Sequence, residues 1–216
     1  MSSQSGPFQH IKDAIEHGTD LDRAVDKALS AFNNRPGGKS SQDLVNLKPR
    51  SRIDHLLETL LSESRRDQRF LPVFDLIYAR EPQNVNVLEA KALAWLFENP
   101  RKAIDAWIQA IAFLEELGGQ EREIASLYKV LAHQYSWLKE YDQAIQAFSM
   151  AIGYIAESEG YSPRHYRAMR MRAYQYLKSN QEEMARKDAR TIYNLYRKDV
   201  FQELLERFEK EQQRKW

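Results

Sequence analysis

The chain contains no cysteine, which excludes disulfide cross-links, thiolate zinc sites and cysteine nucleophiles. Glycine and proline are scarce, 8 and 7 in 216 residues, so turns are few and elements long. No long apolar run exists. The longest, Ala92 to Phe97, is far short of the roughly 20 residues a membrane-spanning helix needs. The first residues, Met1 to Pro7, lack the basic-then-apolar order of a secretory signal, so a cytoplasmic protein without a membrane span is expected. Net charge is nearly absent, +1 overall.

What remains is dominated by Leu, Ala, Glu, Gln, Lys and Arg, all good helix formers. Hydrophobic residues make up 43% and charged residues 29%, a balance that folds. An all-α protein is expected. The small net charge hides a polarity. Residues 83–160 carry 6 Lys/Arg against 11 Asp/Glu, whereas residues 161–198 carry 10 against 3. A partner could read that asymmetry.

Apolar spacing predicts a helix over Pro7–His17, with Phe8, Ile11, Ala14 and Ile15 on one side. A second is predicted over Thr19–Phe32, opened by a Thr19/Asp22 capping box. Residues 34–50, rich in Pro, Gly, Ser, Asn and Lys, read as a linker. Ser51 with Asp54 opens the next helix, with the stripe Ile53, Leu56, Leu57, Leu60, Leu61. Another runs from about Phe70 to Arg80 and stops at Glu81-Pro82-Gln83-Asn84.

Beyond this the pattern is periodic. Ala103, Ala144 and Ala185 are separated by 41 residues each, and Ala94, Tyr135 and Tyr176 keep the same step. Lys102-Ala103-Ile104-Asp105-Ala106-Trp107 aligns with Gln143-Ala144-Ile145-Gln146-Ala147-Phe148. Ala110 and Ala151 follow, with Ile192 in the third copy. Each copy reads as two antiparallel helices, with small residues at the crossing and a large aromatic filling the space to the next pair. A pair cannot bury its apolar face alone, so neighbours must stack.

The middle copy, Tyr128-x2-Leu131-Ala132-x2-Tyr135-x5-Tyr141-x2-Ala144-Ile145-x2-Phe148-x2-Ala151, resembles the tetratricopeptide repeat. The third keeps Ala173, Tyr176 and Ala185, with Ala189 where the aromatic belongs. The first keeps Ala103, Ile104, Trp107 and Ala110, and either Lys91 or Ala92 takes the small position of its first helix. The period of 41 exceeds the family's usual length of about 34 by roughly two helical turns. The resemblance spans about residues 52–198. It implies a right-handed α-α superhelix of antiparallel helix pairs. The expected organisation is an N-terminal helical extension and linker (1–50), an array (51–198) and a C-terminal capping helix (199–216). The array divides into a degenerate pair (51–82) and three copies (84–117, 121–158, 162–198). The apolar stripe Val200, Phe201, Leu204, Leu205, Phe208 marks the cap, with homodimerisation through that helix as the alternative.

No catalytic constellation is present. The histidines, His10, His17, His55, His133 and His165, form no HExxH or i,i+4 pair, so no metal site is expected. Gly38-Lys39-Ser40 resembles the end of a phosphate-binding loop, but Asn33 stands where the first glycine belongs. No cofactor is expected. The resemblance implies instead that first helices line a concave, partner-binding groove. There the middle copy presents Lys129, His133 and Trp137, and the third presents Arg167, Arg170, Tyr174 and Lys178. Lys129 and Arg170 match the cationic part of a carboxylate-binding groove, while His133 and Tyr174 replace expected asparagines. This basic, aromatic set suits an acidic peptide or helix. The first copy is more apolar there, through Leu88 or Glu89, Ala92 or Leu93, and Leu96 or Phe97.

The expected function is therefore a non-catalytic protein-interaction adaptor, an assembly or chaperone-like scaffold. Two alternatives stand beside it. One is a regulatory repeat protein using residues 1–50 as an effector arm. The other is RNA binding through Arg164, Arg167, Arg170, Arg172, Arg186, Lys187 and Arg190. Near-neutral overall charge disfavours a nucleic-acid partner.

Overall fold

A computed structural model of the chain describes residues 6–33 and 52–213. The expected linker at 34–50, the Ser51 cap and the Gly38-Lys39-Ser40 segment lie outside the described residues. The described residues form eleven α-helices and a 3-10 turn, with no strand. They divide into two compact units, Met1–Ala106 and Trp107–Trp216, a boundary inside the sixth helix.

The first unit holds α1 (Pro7–His17), α2 (Leu21–Asn33), α3 (Arg52–Ser64), α4 (Leu71–Arg80), α5 (Val85–Trp95) and the start of α6 (Pro100–Leu117). α1 begins where expected, because Pro7 suits the first helical turn and lacks only a donor that would be orphaned there. It ends at Gly18, whose φ of 64° provides a left-handed cap. The cap of α2 differs from the expected box. Asp20, not Thr19, accepts from the Arg23 amide at 3.1 Å, so the helix starts one turn-position later. Asn84 caps α5 by accepting from the Asn86 and Val87 amides. In the core Ile11 and Val25 join Leu56, Leu60, Phe74 and Ile77. α1 and α2 are thus packed into the unit with α3 and α4. At the ambiguous position in α5, Ala92 is fully buried while Lys91 turns to Asp75, 3.0 Å away, so Ala92 takes the small position.

The second unit holds the rest of α6 and α7 (Glu121–Trp137), α8 (Tyr141–Glu159), α9 (Pro163–Lys178), α10 (Glu182–Tyr196) and α11 (Phe201–Gln213). Ala132, Ala144, Ala151, Ala173 and Ala185 are all fully buried, and Phe148 is too. These are the small and aromatic positions of the repeat, where close helix approach leaves no room for longer side chains. The period also appears in the backbone. Lys139 and Asn180, 41 residues apart, both take a left-handed conformation, with φ of 62° and 59°. The Glu140 amide donates to the Tyr135 carbonyl at 2.8 Å, and the Gln181 amide to the Tyr176 carbonyl at 2.7 Å. Two copies therefore end their first helix with the same closing hydrogen bonds.

Candidate functional site

The residues expected to contact a partner fall on the first helices of two successive pairs in the second unit. Lys129, His133 and Trp137 follow one face of α7; Arg167, Arg170, Tyr174 and Lys178 follow one face of α9. Spacings of three to four residues stack each set along its helix. The structure separates these residues into an open group and an engaged group.

The open group, defined by contact with solvent, is Lys129, His133, Trp137 and Arg167. Trp137 is 56% exposed, and Arg167 is also exposed. Burial lowers the proton affinity of Lys129, and the neighbouring guanidinium groups of Arg164 and Arg167 lower it further, against the opposing pull of Glu159. Three cations therefore crowd one surface. Glu159 is shared between Arg164 and Arg122. No carboxylate among the described residues forms an ion pair with Lys129 or Arg167. His133 packs edge-on against Phe148, with ring centroids 5.3 Å apart. Desolvation and then the charge of Lys129 push its pKa down, although the outer part of the residue meets solvent. Both effects favour its neutral form.

The engaged group is Arg170, Tyr174 and Lys178. All three are taken up by α11, which the spacing alone did not reveal. Glu203 ion-pairs with Arg170. Arg207 lies over the Tyr174 ring, 4.5 Å from its centroid. Glu211 pairs with Lys178 at 3.1 Å and accepts from the Tyr174 hydroxyl. Both rows advance four residues per contact, so α9 and α11 run in the same direction. Tyr174 is 1% exposed and presents no surface to a partner while α11 is in place. Burial and Glu211 push its pKa up to about 12.

A cleft of about 330 Å³ opens between the two groups, lined by His133, Trp137, Tyr141, Lys178 and Glu211 among others. Lys178 faces the rings of both Tyr141 and Tyr174, at 5.8 and 4.9 Å. The lining of the cleft combines aromatic rings with the charged groups of Lys139, Lys178 and Glu211.

The arginine cluster is dispersed by pairing. Arg164 meets Glu159, Arg170 meets Glu203, Arg172 meets Asp188, and Arg186 meets Glu182. Sequence neighbourhood had grouped these cations; in the fold each of these four meets a carboxylate, although Arg164 shares Glu159 with Arg122 and Arg186 pairs within its own helix. Among the described residues no helix is long and apolar enough to cross a membrane.

Known structures share this architecture. The chain matches MamA with a TM-score of 0.51 and 18% identity, covering 89% of this chain and 92% of that one. It also matches the nearly identical TPR-like repeats attributed to a Podosopora anserina kinesin light chain, with a TM-score of 0.55, 11% identity, and 88% and 92% coverage. No protein-family model and no curated protein matches the sequence. At these identities the likeness concerns the fold. The fold is an all-α array of antiparallel helix pairs, similar to that of these TPR-like structures.

Proposed function

We propose that the protein is a non-catalytic interaction adaptor, an assembly or chaperone-like scaffold of the cytoplasm, whose second and third helix pairs (121–158 and 162–198) hold an acidic segment of another protein. The observation that carries this reading is the crowding of Lys129, Arg164 and Arg167 on one face, with Glu159 already committed to Arg164 and Arg122. An incoming carboxylate relieves like-charge repulsion there and gains charge-assisted hydrogen bonds. Exposed Trp137 beside it offers contact area at small entropic cost.

The effector-arm alternative loses ground because Ile11 and Val25 sit in the core of the first unit. RNA binding loses ground because four of the seven clustered cations are paired internally.

The test is an array of acidic 15-residue peptides read by fluorescence anisotropy against the wild-type chain and a Lys129→Glu, Arg167→Glu variant. Binders should weaken by about a hundredfold in the variant, since two charge-assisted contacts of about 1.5 kcal/mol each are removed. Equal affinities for both chains would refute the assignment.

A further inference from the structure

α11 carries the chemistry expected of a ligand. Residues 199–213 hold five acidic and two basic side chains, against the basic balance of the helices it covers. Its inward side offers Val200 and Leu204, both buried, and Phe208, partly buried. Glu203 and Glu211, eight residues apart, bracket that apolar side and reach Arg170 and Lys178. Of the helix itself, Leu204 alone is fully buried. The seat is also incompletely satisfied. Arg170 presents Nη2 to Glu203, while its Nε is buried without an acceptor. At Arg172, by contrast, Asp188 engages both Nε and Nη2, at 2.8 and 2.7 Å. A carboxylate meeting Arg170 side-on would satisfy both nitrogens, as Asp188 does.

We propose that α11 is an exchangeable occupant of the Arg170–Tyr174–Lys178 row, and that the row's external partner is an acidic amphipathic helix with carboxylates eight residues apart flanking an apolar pair. This rests on the adaptor reading and deepens it, because it adds a second, covered half to the open Lys129–Arg167 face. In the resting chain Glu203 and Glu211 hold the covered half closed. A partner helix that presents its first carboxylate in bidentate fashion displaces α11 and lies parallel to α9.

The probe is a fluorescein-labelled peptide of residues 199–213, titrated into full-length chains. A Glu203→Lys, Glu211→Lys variant repels its own α11 from the row and should bind the peptide about tenfold more tightly than wild type, the gain expected when an internal competitor is removed. Adding Arg170→Glu and Lys178→Glu should abolish that gain. If the double variant stays folded, with unchanged helicity and Tm, yet binds no better than wild type, α11 is a fixed cap and the proposal fails. Hydrogen exchange on the wild-type chain decides independently of any variant. Amides of α11 should exchange at least about tenfold faster than those of α9, and equal protection would overturn the proposal. A wild-type dimer in sedimentation that the double variant dissolves would assign the row to α11 of a second copy, and also overturns it. Failure of the Lys129/Arg167 test alone, with the peptide result intact, would remove the adaptor's open face and leave the exchange standing.

Discussion

Arg172 and Asp188 form a bidentate pair that ties α9 to α10, with Nε to Oδ2 at 2.8 Å and Nη2 to Oδ1 at 2.7 Å. Both side chains are largely out of solvent, and Arg172 Nη1 also donates to the Ser149 hydroxyl on α8. Three helices of two successive pairs meet at this guanidinium. Burying charge is costly, and the geometry repays the cost only while both partners remain. Arg172→Ala should destabilise the second unit by about 3 kcal/mol, because it strands the Asp188 carboxylate. Arg172→Met with Asp188→Leu should recover most of that loss. Urea unfolding of the three chains checks the order, and a double variant no better than the single would contradict it.

Ile11 is fully buried against the core that includes Leu56, Leu60 and Phe74. A free arm would tolerate its truncation. A packed helix would not, and Ile11→Ala should cost about 3 kcal/mol, the usual range for a buried aliphatic truncated to alanine. The measurement is the thermal midpoint followed by circular dichroism, with exposed Lys27→Ala as a control that should leave it unchanged.

Much of this architecture was readable in the residues themselves. Pro7 and Gly18 bound α1 where local stereochemistry requires. The alanines at 132, 144, 173 and 185 mark helix crossings because nothing larger fits there. Local information failed where a choice between neighbours was decided by packing. Thr19 and Asp20 can both cap α2, and Asp20 does. Lys91 and Ala92 can both take the small position, and the reach of Lys91 to Asp75 settles it. The face expected to bind a partner was legible as a row of residue types. Its division was not, since Glu211 meets Lys178 from 33 residues away and no periodicity encodes that pairing.

Lys139 ends α7 with φ of 62°, a conformation that costs a residue with a Cβ about 1 kcal/mol relative to glycine. Its counterpart is Asn180, a residue type that tolerates this region better. Lys139→Gly should therefore raise stability by about 0.5–1 kcal/mol, and Asn180→Gly by clearly less. Chemical denaturation of both single variants tests the difference. A loss of stability in Lys139→Gly would mean that unfolded-state entropy outweighs the relieved strain.

His165 is buried, 4% exposed, and its Nδ1 lies 2.8 Å from the Tyr196 hydroxyl. Tyr161 meets it edge-on, and Arg172 is the charged group that acts on it. Burial first, and then the positive charge of Arg172, lower its pKa below the ordinary value. The unfolded chain thus binds this proton more readily than the folded one. The stability that depends on neutral His165 is fully present above the unfolded pKa of about 6.5, and it is lost as pH falls through the lower folded value. Tm should decline in the wild type as pH falls below about 6.5. The decline should be shallower in His165→Gln, which holds a hydrogen-bonding group in place without titrating. An NMR titration should place the His165 midpoint below the ordinary histidine value of about 6.5. A midpoint at or above that ordinary value would show that neither burial nor Arg172 controls this proton.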